Sequence, residues 1–285
     1  MEYFEIKGNA INLNPIYKNT LKGKITVPTV ENVTTIGDFS DTINLTHIYF
    51  LDNNNLYTKV SPGAFKLSNA PGSISDDPDY YDDLIVVMLP KSVIEIGSSA
   101  FEWRIQLEQV GISDNLESIG SNAFAGAIFR STPKKLEFVG LDPSSGGLPK
   151  NLKSLGSMSF WKCQNEITVL PDGITSIPSS CFANNDNVNI SDFGIGNSKL
   201  TEIGSQAFFD AGTYGKINLI TIGKQVGFSG GSGAFDIYGH GPAGMPSYRV
   251  RFEATKAEID SYGGDGKTGV YWIGFPEDIC EFAES

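Results

Sequence analysis

The chain is poor in the residues on which most protein chemistry depends. Its 285 residues include three cysteines and two histidines. Cys163, Cys181 and Cys280 are an odd number without paired ligand spacing, so neither a disulfide framework nor a zinc site organises the fold. They are expected to be small buried hydrophobes, the usual state of free cysteine. His47 and His240 sit in no nucleophile elbow and beside no protease signature, so no catalytic triad can be written and no enzyme is expected. Basic residues are also scarce. Lys and Arg number 21 against 33 Asp and Glu, a net charge of −12, and such a field repels phosphate backbones and anionic lipid. Nucleic acid is therefore not an expected partner. No apolar run is long enough to cross a bilayer, so membrane insertion is not expected. The stretch from Met1 to Ile6 lacks the basic-then-apolar order of a signal peptide.

What is plentiful is turn chemistry. There are 32 Gly and 14 Pro in a chain whose hydrophobic residues make up 40%, enough for a core but divided by many turns. Comparing the chain with itself explains the division. One unit reads aliphatic, two variable, Ile or Leu, Gly or Pro, two variable, small, Phe. Five segments fit it: Val93/Ile96/Gly97/Ala100/Phe101, Leu116/Ile119/Gly120/Ala123/Phe124, Leu152/Leu155/Gly156/Ser159/Phe160, Ile174/Ile177/Pro178/Cys181/Phe182 and Leu200/Ile203/Gly204/Ala207/Phe208. Weaker copies flank them at Val60/Ser61/Ala64/Phe65, at Leu219/Ile222/Gly223 with a displaced Ala234-Phe235, and at Val33/Ile36/Gly37.

Steps of 36, 23, 36, 22, 26 and 27 residues along Phe65, Phe101, Phe124, Phe160, Phe182, Phe208 and Phe235 give a unit near 23 with insertions. No segment of that length buries its own apolar side, so the units must stack as coils of a solenoid. The seven phenylalanines are expected to form an interior ladder, the repeat core. The Gly slot serves either a positive φ or a close backbone approach. Short alternating segments before the motifs, such as Val87/Leu89, Val110/Ile112 and Ile167/Val169, predict one strand per coil and a sheet along one face, the natural binding surface.

The repeated motif, together with a Cys three after Phe in Phe160-Trp161-Lys162-Cys163, resembles the BspA-like leucine-rich repeats. The resemblance implies a mainly β solenoid, a right-handed superhelix with non-repeat caps. It also implies attachment, adhesion or protein binding without a catalytic centre or cofactor. Residues 1–30 are expected to be an N-terminal cap or docking arm, 31–238 the repeats and 239–285 a C-terminal cap. In the last, Tyr248 to Phe252 reads as a strand, Ala254 to Tyr262 as a short helix and Val270 to Ile273 as a final strand, with Trp272 a possible oligomer contact.

The segments Pro71 to Asp83 and Ser131 to Gly147 account for the long steps and are expected to project as loops. The first is strongly acidic. Asp76, Asp77, Asp79, Asp82 and Asp83 flank Tyr80 and Tyr81, which suits a solvated loop, a partner contact or, as a third reading, calcium, although the spacing matches no EF-hand. These seven residues are the candidate partner-binding set. Gly227 to Gly233 lacks a Walker lysine, and Ser131-Thr132-Pro133-Lys134 lacks the companion motifs of penicillin-binding enzymes. The expected function is a soluble, non-enzymatic module binding a protein or glycan surface, able to self-associate or to join a larger particle such as a phage virion. The alternative is a bacterial cell-surface adhesin, so the expected locations are a virion or the extracellular surface.

Overall fold

The computed structural model describes residues 2–51, 56–68, 82–127, 135–213, 215–229, 233–236, 238–239, 248–261 and 273–284. A hairpin of β1 (Phe4–Lys7) and β2 (Ala10–Leu13) opens the chain and β3 (Gly23–Val27) follows. Later coils supply β4 (Thr35–Ile36) and β5 (Leu45–Phe50), β6 (Lys59–Val60) and β7 (Val86–Met88), and β8 (Glu95–Ile96) and β9 (Gln109–Gly111). Next come β10 (Ser118–Ile119), β11 (Glu137–Val139), β12 (Ser154–Leu155), β13 (Ser176–Ile177), β14 (Asp192–Phe193) and β15 (Glu202–Gly204). The chain ends through β16 (Leu219–Ile222), β17 (Gly227–Ser229), β18 (Arg249–Phe252), the helix α1 (Lys256–Asp260) and β19 (Cys280–Glu281).

These strands form two rows of sheet rather than one. The first runs β1-β2-β4-β6-β8-β10-β12 and resumes as β13-β15-β17; the second runs β3-β5-β7-β9-β11 and resumes as β14-β16-β18-β19. Among the described residues every strand pairing is parallel except the β1–β2 hairpin. The expectation of one strand per coil is thus corrected. The Ile slot of the motif, read as part of a bend, is itself a short strand, and Ile11, Ile36, Val60, Ile96, Ile119 and Leu155 lie in one register row.

Between the Gly slot and the second residue after Phe runs a third set of inter-coil bonds. In the coil of Phe101, the N–H groups of Ser99, Phe101 and Trp103 donate to the carbonyls of Ser121, Ala123 and Ala125 at 2.7–2.8 Å. The same alternation recurs at Asn122, Phe124 and Gly126, at Met158, Phe160 and Lys162, and at Ser180, Phe182 and Asn184. To aim alternate N–H groups the same way, the residues two after the Gly slot and two after Phe take positive φ: Ser99, Asn122, Met158, Ser180 and Gln206, then Trp103, Lys162, Asn184 and Asp210. A left-handed non-glycine residue costs about 1–2 kcal/mol, offset here by the repeated bonds. The Gly slot does not take positive φ. It serves close approach, since a Cβ on Gly97 would lie 2.5 Å from Pro62 N and one on Gly204 2.6 Å from Ser179 N.

The expected ladder is present and longer than expected. Phe65, Phe101, Phe124, Phe160, Phe182, Phe208 and Phe235 are fully buried and stack at 4.8–5.6 Å. Phe39 adds a rung at 5.6 Å from Phe65, and Phe275 adds one at 4.7 Å from Phe235.

Both ends are drawn into the stack. β2 and β3 occupy the two sheet rows ahead of β4 and β5, so the coil structure starts inside residues 1–30 and only β1 departs from it. At the other end β18 pairs with β16 in register, and α1 carries a capping box between Thr255 and Glu258. Residues 270–272, including Trp272, lie outside the described residues. The Ser131 to Gly147 insertion is only partly a loop, because Glu137–Val139 within it is β11.

Candidate recognition surface

The alternation of the second sheet divides its residues between core and exterior. Ile25, Ile48, Val87, Val110 and Phe138 share one register row, and Phe138 packs on Phe124 and Phe160. The neighbouring rows therefore point away from the core, because successive side chains of a strand point to opposite faces, although Val86 and Gly111 within them are buried by their neighbours. One reads Lys24, His47, Val86, Gln109 and Glu137; the other reads Thr26, Tyr49, Met88, Gly111 and Val139.

The two rows make a mixed surface with an apolar seam. His47 stacks on Tyr49 at 5.9 Å, and Gln109 donates from Nε2 to Glu137 at 3.2 Å. Gly111 holds the seam flat, since a Cβ there would lie 2.7 Å from Met88 Sδ. Burial, and then the Lys24 charge, lowers the pKa of His47, and its Nδ1 contacts Thr46 Oγ1 at 2.9 Å. At the far end, where the regular sheet breaks into single bridges, Lys135, Glu137, Phe138, Gly147, Asn165 and Glu166 line a cleft of about 340 Å³.

A second aromatic group lies on the edge that follows the phenylalanines. Trp103 and Trp161, both half-buried, meet edge to face at 5.9 Å, and Lys162 Nζ sits 4.5 Å from the Trp161 ring centroid. Trp103 covers Gly126, where a Cβ would collide with the indole. Aromatic surface is thus found along the solenoid as well as at its N-terminal end, where Tyr3 is exposed.

The acidic candidate set divides. Asp76, Asp77, Asp79, Tyr80 and Tyr81 lie outside the described residues, and Asp83 is exposed. Asp82 corrects the expectation of a solvated or partner-facing carboxylate. It is buried against Arg104 Nη1 at 3.0 Å, with both side chains fully enclosed. Arg104 also donates to the Phe65 carbonyl, to the Thr42 carbonyl at 3.3 Å and to Thr42 Oγ1 at 3.2 Å. Burial pushes the Asp82 carboxyl up, and the Arg104 charge opposes that. This pair ties the far root of the acidic insertion into the stack, so Asp82 is an anchor and not a contact.

Arg104 escaped the sequence reading. The signal was its slot: three residues after six of the other ladder phenylalanines stand Thr42, Ala127, Cys163, Asn185, Ala211 and Tyr238, all buried, whereas Ser68 after Phe65 and Asp278 after Phe275 are exposed. Cys163 and Cys181 are buried as expected, and desolvation pushes both thiols up, that of Cys181 to about 12. Cys280 is only partly buried.

A family model described as the BspA type leucine-rich repeat region matches residues 73–134 and 141–235 in six copies, more than half of the chain. The chain belongs to the BspA-type leucine-rich repeat family. Among solved structures, this BspA-type protein is similar to a leucine-rich repeat protein from Bacteroides ovatus, at 18% identity and a TM-score of 0.37 over 88% of this chain and 53% of the other. It thus spans about half the length of that relative. It is also similar to a leucine-rich cell surface protein from Faecalibacterium prausnitzii, at 14% identity and a TM-score of 0.34 over 94% and 90% of the two chains. The pneumococcal vaccine antigen PcpA matches at 16% identity and a TM-score of 0.28 over 92% and 94%. No curated protein sequence matches the chain. Among the described residues, no helix of this BspA-type chain is long and apolar enough to cross a membrane.

Proposed function

We propose that the protein is a non-enzymatic recognition module that binds a protein or glycan through the outer face of its second sheet. The observation that carries this reading is the pair of outward rows in continuous register across β3, β5, β7, β9 and β11. They place Tyr49, Met88 and Val139 as an apolar seam beside His47, Gln109 and Glu137. Interfaces favour such aromatic and Met contacts rimmed by polar groups. The net charge of −12 makes nucleic acid a poor partner and a basic protein a better one.

The family supports attachment as the biological role, and a cell-surface adhesin is the setting that membership favours. A subunit of a larger particle such as a virion is the second setting. Locating the native protein with an antibody, on intact cells or in purified particles, separates the two. The binding reading is tested by probing a glycan array and a protein array with the full chain and with Tyr49→Ala/Met88→Ala. Loss of a specific signal in a folded double variant supports it; an unchanged signal places binding elsewhere.

A further inference from the structure

The N-terminal end of the solenoid differs from its other surfaces. β1 pairs with β2 on one side, and no described residue pairs with its other side. The Asn14 N–H donates to the Tyr3 carbonyl, and Tyr3 stands opposite Asn14 in the β1–β2 register. In an antiparallel ladder this makes Glu5 and Lys7 the residues bonded to β2, and turns the backbone groups of Phe4 and Ile6 outward.

Apolar side chains stand among the charged ones around this edge. Ile6 is opposite core Ile11 yet 37% exposed, Tyr3 is 42% exposed and Ile16 is 70% exposed. Residues 2–27 hold Lys7, Lys18, Lys22 and Lys24 against Glu2 and Glu5, so this end is slightly basic in a chain of net charge −12. An open strand edge is a template for further pairing.

We propose that the occupant of this edge is a second copy of the chain, with β1 antiparallel to β1 of the partner about a two-fold axis at Ile6. The backbone allows outward-facing residues to pair only with outward-facing residues, which leaves registers centred on Phe4, Glu5, Ile6 or Lys7, and the last sets two lysines face to face. The register centred on Phe4 leaves Ile6 without a strand partner, and that centred on Glu5 sets two carboxylates face to face. The register centred on Ile6 pairs Ile6 with its own copy and sets Glu5 opposite Lys7 of the partner twice, on one face of the sheet. Opposite charges at directly facing positions are favourable and like charges are not. The segment Glu5-Ile6-Lys7 is thus self-complementary, as a two-fold interface requires. The dimer joins the two first sheets into one and covers Ile6.

The test is charge exchange on the full chain, with mass read by light scattering over a concentration series. The wild type gives a dimer of about twice the 30.8 kDa chain. Glu5→Lys alone opposes Lys to Lys, and Lys7→Glu alone opposes Glu to Glu, so each weakens dimerisation at least about tenfold. The Glu5→Lys/Lys7→Glu double variant recovers the dimer. Mixing the two single variants forms a one-to-one heterodimer, which no fault in folding could produce. A wild type that is monomeric at every concentration overturns the proposal, as does a dimer indifferent to the single reversals. Mass that grows without limit would instead indicate head-to-tail stacking and also overturn it.

Discussion

The phenylalanine ladder and the outer face of the second sheet run along the same coils and are built in opposite ways. In the ladder each coil repeats one residue, and neighbouring rings stack nearly parallel, at 3° between Phe101 and Phe124 and 2° between Phe208 and Phe235. On the outer face each coil offers a different residue: Thr26, Tyr49, Met88, Gly111 and Val139 follow one another across the sheet. A buried slot must satisfy its neighbours above and below, so one good solution is repeated. An exposed slot carries no such demand, and its residues are free to serve a ligand.

Substitutions separate the two regions by what they cost. Phe124→Ala removes a fully buried ring between two stacked neighbours and is expected to cost about 3–5 kcal/mol in urea unfolding. Arg104→Met leaves the enclosed Asp82 carboxylate without its cation and should cost a similar amount, about 3–5 kcal/mol, whereas Arg104→Met/Asp82→Leu should recover much of the loss. If the single and double variants were equally unstable, the pair would not be the anchor described. Gly120→Ala puts a Cβ onto Ser98 N of the preceding coil, where neither backbone can yield, and should cost about 1–3 kcal/mol by thermal or urea unfolding.

The smallest effect belongs to the C-terminal cap. Glu258 is held down to about 2 by the Thr255 N–H, then by Lys224 and the Thr255 hydroxyl. A lowered carboxylate stabilises the fold above its ordinary range near 4.5 and loses that contribution as pH falls towards 2. Amide exchange in α1 should therefore quicken selectively on acidification through that window, while the amides that bond coil to coil along the ladder stay protected.

The repeat core was legible because five copies of one motif fix the same slots. Phe39 was missed because it follows Gly37 by two residues where Phe101 follows Gly97 by four, a shortened coil. Phe275 was missed because it follows Gly274 directly, although Val270 and Ile273 stand three apart ahead of it as the motif requires. The second strand of each coil was hidden by its length: at two residues, Glu95–Ile96 or Ser118–Ile119 has no alternation to detect.

The outer face was legible only as alternation within single strands. Which residues stand side by side depends on register, and insertions of different length between strands, with a bulge at Gly23/Lys24, remove that from the sequence. Asp82 was misread for a related reason. It belongs by composition to the acidic run and by position to the core, and only its partner Arg104, twenty-two residues on, reveals this.

The most direct measurement compares the wild type with Tyr49→Ala/Met88→Ala in parallel, by urea unfolding and by array binding. If the outer face is a recognition surface, unfolding free energy changes by less than about 1 kcal/mol, as expected for substitutions outside the core, while specific binding is lost. Retained binding with unchanged stability would contradict the assignment of recognition to this face.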